Sequence, residues 1–114
     1  MDGDDVRNDF VVDMLARASV TTKFLKSLSH PARLVLLCRL AEGPATVGEM
    51  EATLNLAQAE VSKQLARLRA EGLVTAERDG RRVIYTVSDP RTVRIVRLLY
   101  DEFCRPFAKE PAAT

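Results

Sequence analysis

AEVSKQLARLRAEGLV, residues 59 to 74, decides the fold. Val61, Leu65 and Leu68 recur at i, i+4 and i+7, which predicts a helix from about Gln58 to Glu71 with one apolar face. Gly72 suits a left-handed cap that ends it. Past this glycine the apolar period falls from 3.6 to 2. LVTAER and RRVIYTV read as two strands joined at Asp79-Gly80, a dipeptide suited to a tight hairpin turn. The hairpin tip carries Arg78, Arg81 and Arg82.

Upstream, Thr46 and Glu49 in TVGE fit a capping box, the hydroxyl reaching forward and the carboxylate back, so a short helix runs to about Leu54 and breaks at Asn55. Before it, a helix opened by Ser29-His30-Pro31 carries LVLLCRL, residues 34 to 40, and stops at Gly43-Pro44. A longer helical pattern runs from about Asn8 to Leu28. Downstream, Asp89-Pro90 opens a last helix to about Cys104, in which eight of 15 positions are apolar. One inward stripe cannot use them all, and a second apolar face is usually covered by a symmetry mate.

The order of elements defines the expected fold class: mainly α with a β-hairpin wing, a winged helix-turn-helix, with a helical dimer interface from the first and last helices. The domain spans residues 10–105, between an acidic disordered tail, 1–9, and a disordered C-terminal tail, 106–114. Val93, Val96, Leu99, Tyr100 and Phe103 of the last helix and Val11 and Met14 of the first are the expected dimer contacts.

At 114 residues the chain is a one-core protein. Its 46% apolar and 29% charged residues fit a soluble protein, and no run of about 18 apolar residues exists to cross a bilayer. The acidic start lacks the pattern of a secretory signal, so a cytoplasmic chain is expected. Net charge is only +1, but residues 1–13 hold five acids against Arg7, whereas residues 56–97 hold nine bases against five acids. Such an asymmetry suits a polyanion partner, or a set of solvated helix faces.

On the helix at Gln58–Glu71, the inward apolar stripe leaves Gln58, Ala59, Ser62, Lys63, Gln64 and Arg67 as candidates to face DNA. Small and amide side chains allow close approach to base edges, where Gln pairs with adenine and Lys or Arg with guanine or phosphate. Arg81 and Arg82 would reach backbone or minor groove. Singly, each of these residues reads as well as a solvated surface group; their order along the chain favours DNA. No Cys-x-x-Cys, no histidine beside a nucleophile and no glycine-rich phosphate loop is present, so an enzyme is not expected.

SHPARLVLLCRLAEG, TVGEM, AEVSKQLARLRAEGLV and RRVIYTV together resemble the ArsR/SmtB family of winged-helix repressors across residues 20 to 104. That resemblance implies a homodimer on double-stranded operator DNA, with the helix at Gln58–Glu71 as the recognition helix. Glu60 departs from a DNA-facing pattern: it must accept from a cytosine amine or be held away from phosphate. Most members of that family are known as metal sensors, with cysteines on the third helix or His and carboxylate pairs on the last. This chain has no Cys or His on its third helix, no His on its last, and only His30 elsewhere, so neither a metal nor another cofactor is expected.

Cys38 and Cys104 remain, one in the second helix and one at the end of the last. Either is a small hydrophobe filling a core or a reactive thiol. The pair resembles the sulfide-responsive, persulfide-sensing subgroup, in which the reduced protein binds DNA and reactive sulfur species link the two thiols. Arg39 and Arg105 stand next to them in sequence and would favour thiolate, whereas a helix C-terminus would disfavour it. A general peroxide or electrophile sensor, a metal-responsive repressor and an interaction module without DNA binding are the alternatives.

Overall fold

The computed structural model describes residues 2–108. It contains α1 (Asp2–Leu28), α2 (Pro31–Ala41), β1 (Ala45–Thr46), α3 (Val47–Leu54), α4 (Gln58–Ala70), β2 (Val74–Asp79), β3 (Arg82–Val87), α5 (Pro90–Phe103) and α6 (Arg105–Ala108). The chain divides into two compact units, residues 1–30 and 31–114. The first is α1, whose helix starts at Asp2 rather than at Asn8, so the acidic segment expected as a disordered tail is helical from Asp2 to Asp9. Of the segment expected as a C-terminal tail, residues 109–114 lie outside the described residues, and Pro106 to Ala108 belong to α6.

The second unit is the winged helix-turn-helix. Its core is built by Leu36 and Leu37 of α2, Met50 of α3, Val61, Leu65 and Leu68 of α4, and Val96 of α5, each fully buried. Val61, Leu65 and Leu68 are the residues that helical periodicity assigns to an inward stripe, whereas Val96, expected at the dimer contact, lies in this core. Burying each aliphatic side chain contributes about 1.5–3 kcal/mol against exposure. Thr46 caps α3 as expected: its Oγ1 accepts from the Glu49 amide at 3.2 Å, and the Glu49 carboxylate accepts from the Thr46 amide at 2.8 Å. That amide and the Thr46 side chain together hold the Glu49 pKa below the ordinary carboxylate value. Asn55 then turns the chain in the left-handed region, φ 55°.

The end of α4 fixes where the wing starts. Gly72 has φ 79°, the Leu73 amide donates to the Leu68 carbonyl at 2.9 Å, and the Gly72 amide donates to the Arg69 carbonyl at 3.0 Å. This crossed pair is a Schellman closure, which needs a residue that tolerates positive φ. The sheet has order β1-β3-β2, with Ala45 opposite Tyr85, Val74 opposite Val87 and Asp79 opposite Arg82. The two-residue loop is therefore Gly80-Arg81, one residue beyond the expected Asp79-Gly80. Positive φ falls on Gly80 alone in this loop (66°), the pattern of a type II′ turn with glycine first. Strand β1 was not expected: two residues carry no period, and their strand geometry depends on pairing with β3. Asp89 caps α5, its carboxylate accepting from the Arg91 amide at 2.9 Å, with Pro90 in the first turn.

Candidate nucleic-acid interface and dithiol cavity

Helix α4 presents Gln58, Ala59, Ser62, Lys63 and Arg67 to solvent, while Val61, Leu65 and Leu68 point inward. Five of the six expected α4 contacts thus lie on the exposed side. Gln64 does not. It is 3% exposed, its Oε1 accepting from Arg33 Nη1 at 3.3 Å and its Nε2 donating to Glu60 Oε1 at 3.1 Å. A buried amide needs partners, and these come from α2 and from the preceding turn of α4. Gln64 is therefore a tie between helices and not a base contact. The same bond accounts for Glu60, whose carboxylate is occupied by an amide from its own helix.

Arg81 and Arg82 are exposed on the wing. Arg82 Nη2 stands 3.7 Å from Glu49 Oε2, and Arg67 Nε stands 3.6 Å from Glu71 Oε2. Both pairs are solvent-exposed and screened by water, so a phosphate can displace the carboxylate. Sequence reasoning missed the Glu49–Arg82 pair because the two residues meet only when β1 pairs with β3. The exposed face of α4 and the arginine-bearing loop offer small, amide and cationic groups, the chemistry that reads base edges and binds phosphates.

The two cysteines come together in the second unit. Cys38 and Cys104 both line one cavity of about 710 Å³ formed largely between α2 and α5. Both are free thiols, Cys38 half-buried and Cys104 exposed at the C-cap of α5. Cys38 Sγ lies 4.0 Å from the Val96 carbonyl. Burial, then the negative charges of Cys104 and Glu42, pushes the Cys38 thiol pKa up. The neighbouring arginines do not offset this: Arg39 donates to the Gly43 carbonyl at 3.1 Å, and Arg105 pairs with Asp101 at 3.2 Å. The expected thiolate-favouring effect of Arg39 at Cys38 is thus overturned by desolvation.

Helix α5 has two faces. Val96 is fully buried and lines the cavity with Tyr100, which is 43% exposed. Val96 is therefore core, not dimer contact, and Tyr100 belongs at least in part to the cavity. Val93 and Leu99 are half-buried and Phe103 is exposed, as are Val11 and Met14 of α1. The most outward aliphatic groups of α5, Ile95 at 38% and Leu98 at 58% exposure, were missed, although their i, i+3 spacing was available as a signal. Among the described residues no helix is long and apolar enough to cross a membrane, and no three His, Cys, Asp or Glu side chains gather as a metal site.

A helical core, a recognition helix with an exposed polar side, and an arginine-tipped two-stranded wing define a winged helix-turn-helix DNA-binding protein. The chain belongs to the arsR family of bacterial regulatory proteins, and residues 30–76 match the family described as "Bacterial regulatory protein, arsR family". It is 41% identical over 93 residues to the biofilm growth-associated repressor of Agrobacterium fabrum, covering 82% of this chain and 80% of that protein. The crystal structure of the transcriptional repressor BigR from Xylella fastidiosa is similar with a TM-score of 0.76 at 39% identity, covering 81% of this chain and 94% of that one. Reduced HlyU from Vibrio cholerae N16961 is similar with a TM-score of 0.76 at 31% identity, covering 82% and 98%. The protein is a DNA-binding transcriptional regulator of this family.

Proposed function

We propose that this regulator is a dimeric repressor that leaves its operator when reactive sulfur species bridge Cys38 and Cys104. The observation that carries the reading is the convergence of the chain's two cysteines, from helices α2 and α5, on one cavity. The similar structure of HlyU is of its reduced form, in keeping with thiol chemistry in this fold, and BigR is a transcriptional repressor. The dimer forms through the outward faces of α5 and α1, whose exposed aliphatic groups otherwise stand in water.

A bridge couples to DNA through two connections. It ties the end of α5 to the middle of α2, and α2 holds the recognition helix through Arg33 and Gln64. The α5 face also sets the spacing of the two recognition helices, so a small shift of α5 against α2 changes the half-site distance the dimer can span. Cys38→Ser and Cys104→Ser proteins test the reading. Each binds the DNA upstream of its own coding region with wild-type affinity and keeps that affinity after sulfane-sulfur treatment. A single variant that still dissociates on treatment would show that a bridge between the two is not the signal.

A further inference from the structure

We propose that the cavity between α2 and α5 is a binding site for small amphipathic carboxylates, compounds with one anionic head on a hydrocarbon body. The site needs no sulfur chemistry and goes beyond the dithiol reading above. Its volume of about 710 Å³ lies within the range of small-molecule clefts. The body of the ligand meets Leu34 and Val35 of α2, Leu54 at the end of α3, and Val96 and Tyr100 of α5, so apolar side chains from three helices line one space. Moving a hydrocarbon chain from water onto such a lining is favourable, roughly in proportion to the area covered.

The head group is specified by charge. Arg39, Arg97 and Arg105 share the lining with Glu42 and Asp101, an excess of one positive charge that matches one carboxylate. Arg105 is already paired, its Nη2 standing 3.2 Å from Asp101 Oδ1. Arg39 and Arg97 hold only neutral acceptors: Arg39 Nη1 donates to the Gly43 carbonyl at 3.1 Å, and Arg97 Nη2 donates to the Ala41 carbonyl at 3.0 Å. Neither guanidinium forms an ion pair among the described residues. A guanidinium has several N–H donors, so one bond to a carbonyl leaves the others open to an anion. The same two bonds bring the heads together, because their acceptors lie two residues apart where α2 gives way to the turn at Gly43. Side chains held in this way lose less rotamer freedom when an anion arrives, and the bonds they then make are charge-assisted. A dicarboxylate or a phosphate dianion brings a second charge that the lining does not offset, and a cationic head meets Arg39 and Arg97. Cys38 is half-buried in the same lining, so a seated ligand stands against its thiol and shields it from reagents in solution.

The test uses the full reduced chain with no sulfur donor present, so its outcome does not depend on a bridge between Cys38 and Cys104. Octanoate, octan-1-ol and octylammonium share one chain and differ in the head, and each is titrated while backbone amide NMR shifts report affinity and location together. Octanoate binds at least ~10-fold more tightly than octanol, the worth of roughly one charge-assisted hydrogen bond, and octylammonium binds more weakly than octanol. The shifts gather at residues 34–39, at Leu54 and at residues 96–100. Octanoate that binds no better than octanol, or shifts centred on α4 and the wing, overturns the site. Arg39→Gln and Arg97→Gln keep an amide donor for the carbonyl and lose the charge. Each weakens octanoate at least ~5-fold and leaves octanol within ~2-fold; equal losses for the two compounds overturn the head-group assignment. In Cys104→Ser protein, saturating octanoate slows alkylation of Cys38 by N-ethylmaleimide at least ~5-fold, as burial of a reacting group demands; an unchanged rate places the ligand elsewhere and overturns the site. A chain that binds octanoate in this way yet ignores sulfur donors leaves this inference standing and removes the dithiol reading.

Discussion

Replacing Leu98 with Asp separates assembly from folding on a single helix. Leu98 is 58% exposed, whereas Val96, two residues earlier, is fully buried. Full burial of a leucine is worth about 1.5–3 kcal/mol, so roughly 1–1.5 kcal/mol remains to be gained at Leu98, and a two-fold interface collects it twice, for about 2–3 kcal/mol. At about 1.4 kcal/mol per decade, the dimer dissociation constant rises by at least ~30- to 100-fold, and desolvation of two carboxylates adds to that. The monomer should fold with its stability changed by no more than ~0.5 kcal/mol, the usual range for exposed sites. Val96→Ala is the contrasting variant: it loses about 1.6 kcal/mol of buried hydrocarbon before any cavity cost, lowering the melting temperature. Sedimentation over a concentration series, with thermal unfolding of the same samples, reads both effects. Leu98→Asp protein that associates with the wild-type constant would refute the outward face of α5 as the dimer contact.

Arg81→Ala with Arg82→Ala should weaken binding to all DNA sequences and flatten the dependence of affinity on salt by about one to two counterions per wing; an unchanged salt slope in a titration from low to high salt would remove the wing from the phosphate contacts. Gln64→Leu should cost about 1–3 kcal/mol of stability, because the Arg33 and Glu60 groups lose a partner, and DNA affinity should fall only as far as α4 shifts; a stability loss below the error of urea unfolding would contradict the tie. The folded protein keeps the Cys38 proton at a pH where the unfolded chain, with a thiol pKa of about 8.5, releases it. Reduced-protein stability is therefore level with respect to this group below about pH 8.5 and falls as pH rises above it. Cys38→Ala should flatten that decline in unfolding measurements from pH 7 to 10; an identical slope would mean that Cys38 is not desolvated.

The parts of this molecule legible in the sequence are those settled by neighbours along the chain. Thr46 and Glu49 make their capping box within one turn, and α4 closes through the amides of Gly72 itself and of Leu73 beside it. Val61, Leu65 and Leu68 announce the buried face of α4 by spacing alone. Errors arose where a second element decides. An apolar-rich helix such as α5 has no unique phase in sequence, so Val96 reads as outward as Leu98 does, and only packing against α2 shows which side is buried. Gln64 reads as one more polar residue beside Lys63, because its partner Arg33 is 31 residues away. The wing slipped by one residue since either Asp79-Gly80 or Gly80-Arg81 can supply the glycine, and only the pairing of Asp79 with Arg82 selects between them. For the cysteines, the sequence shows two helices that should pack; that the thiols share a cavity, and that burial outweighs Arg39 at Cys38, depends on tertiary packing.

The central claim, that a sulfur bridge between Cys38 and Cys104 controls DNA binding, is tested most directly by dividing one sample into two after trisulfide treatment. One half gives the intact mass and the mapped Cys38–Cys104 linkage; the other gives fluorescence anisotropy on the DNA upstream of the coding region, before and after reduction with a thiol. The account predicts a bridged protein that has gained one sulfur and lost two hydrogens, binds at least ~10-fold more weakly than reduced protein, and recovers full affinity on reduction. Bridged protein that binds with the reduced protein's affinity would contradict it.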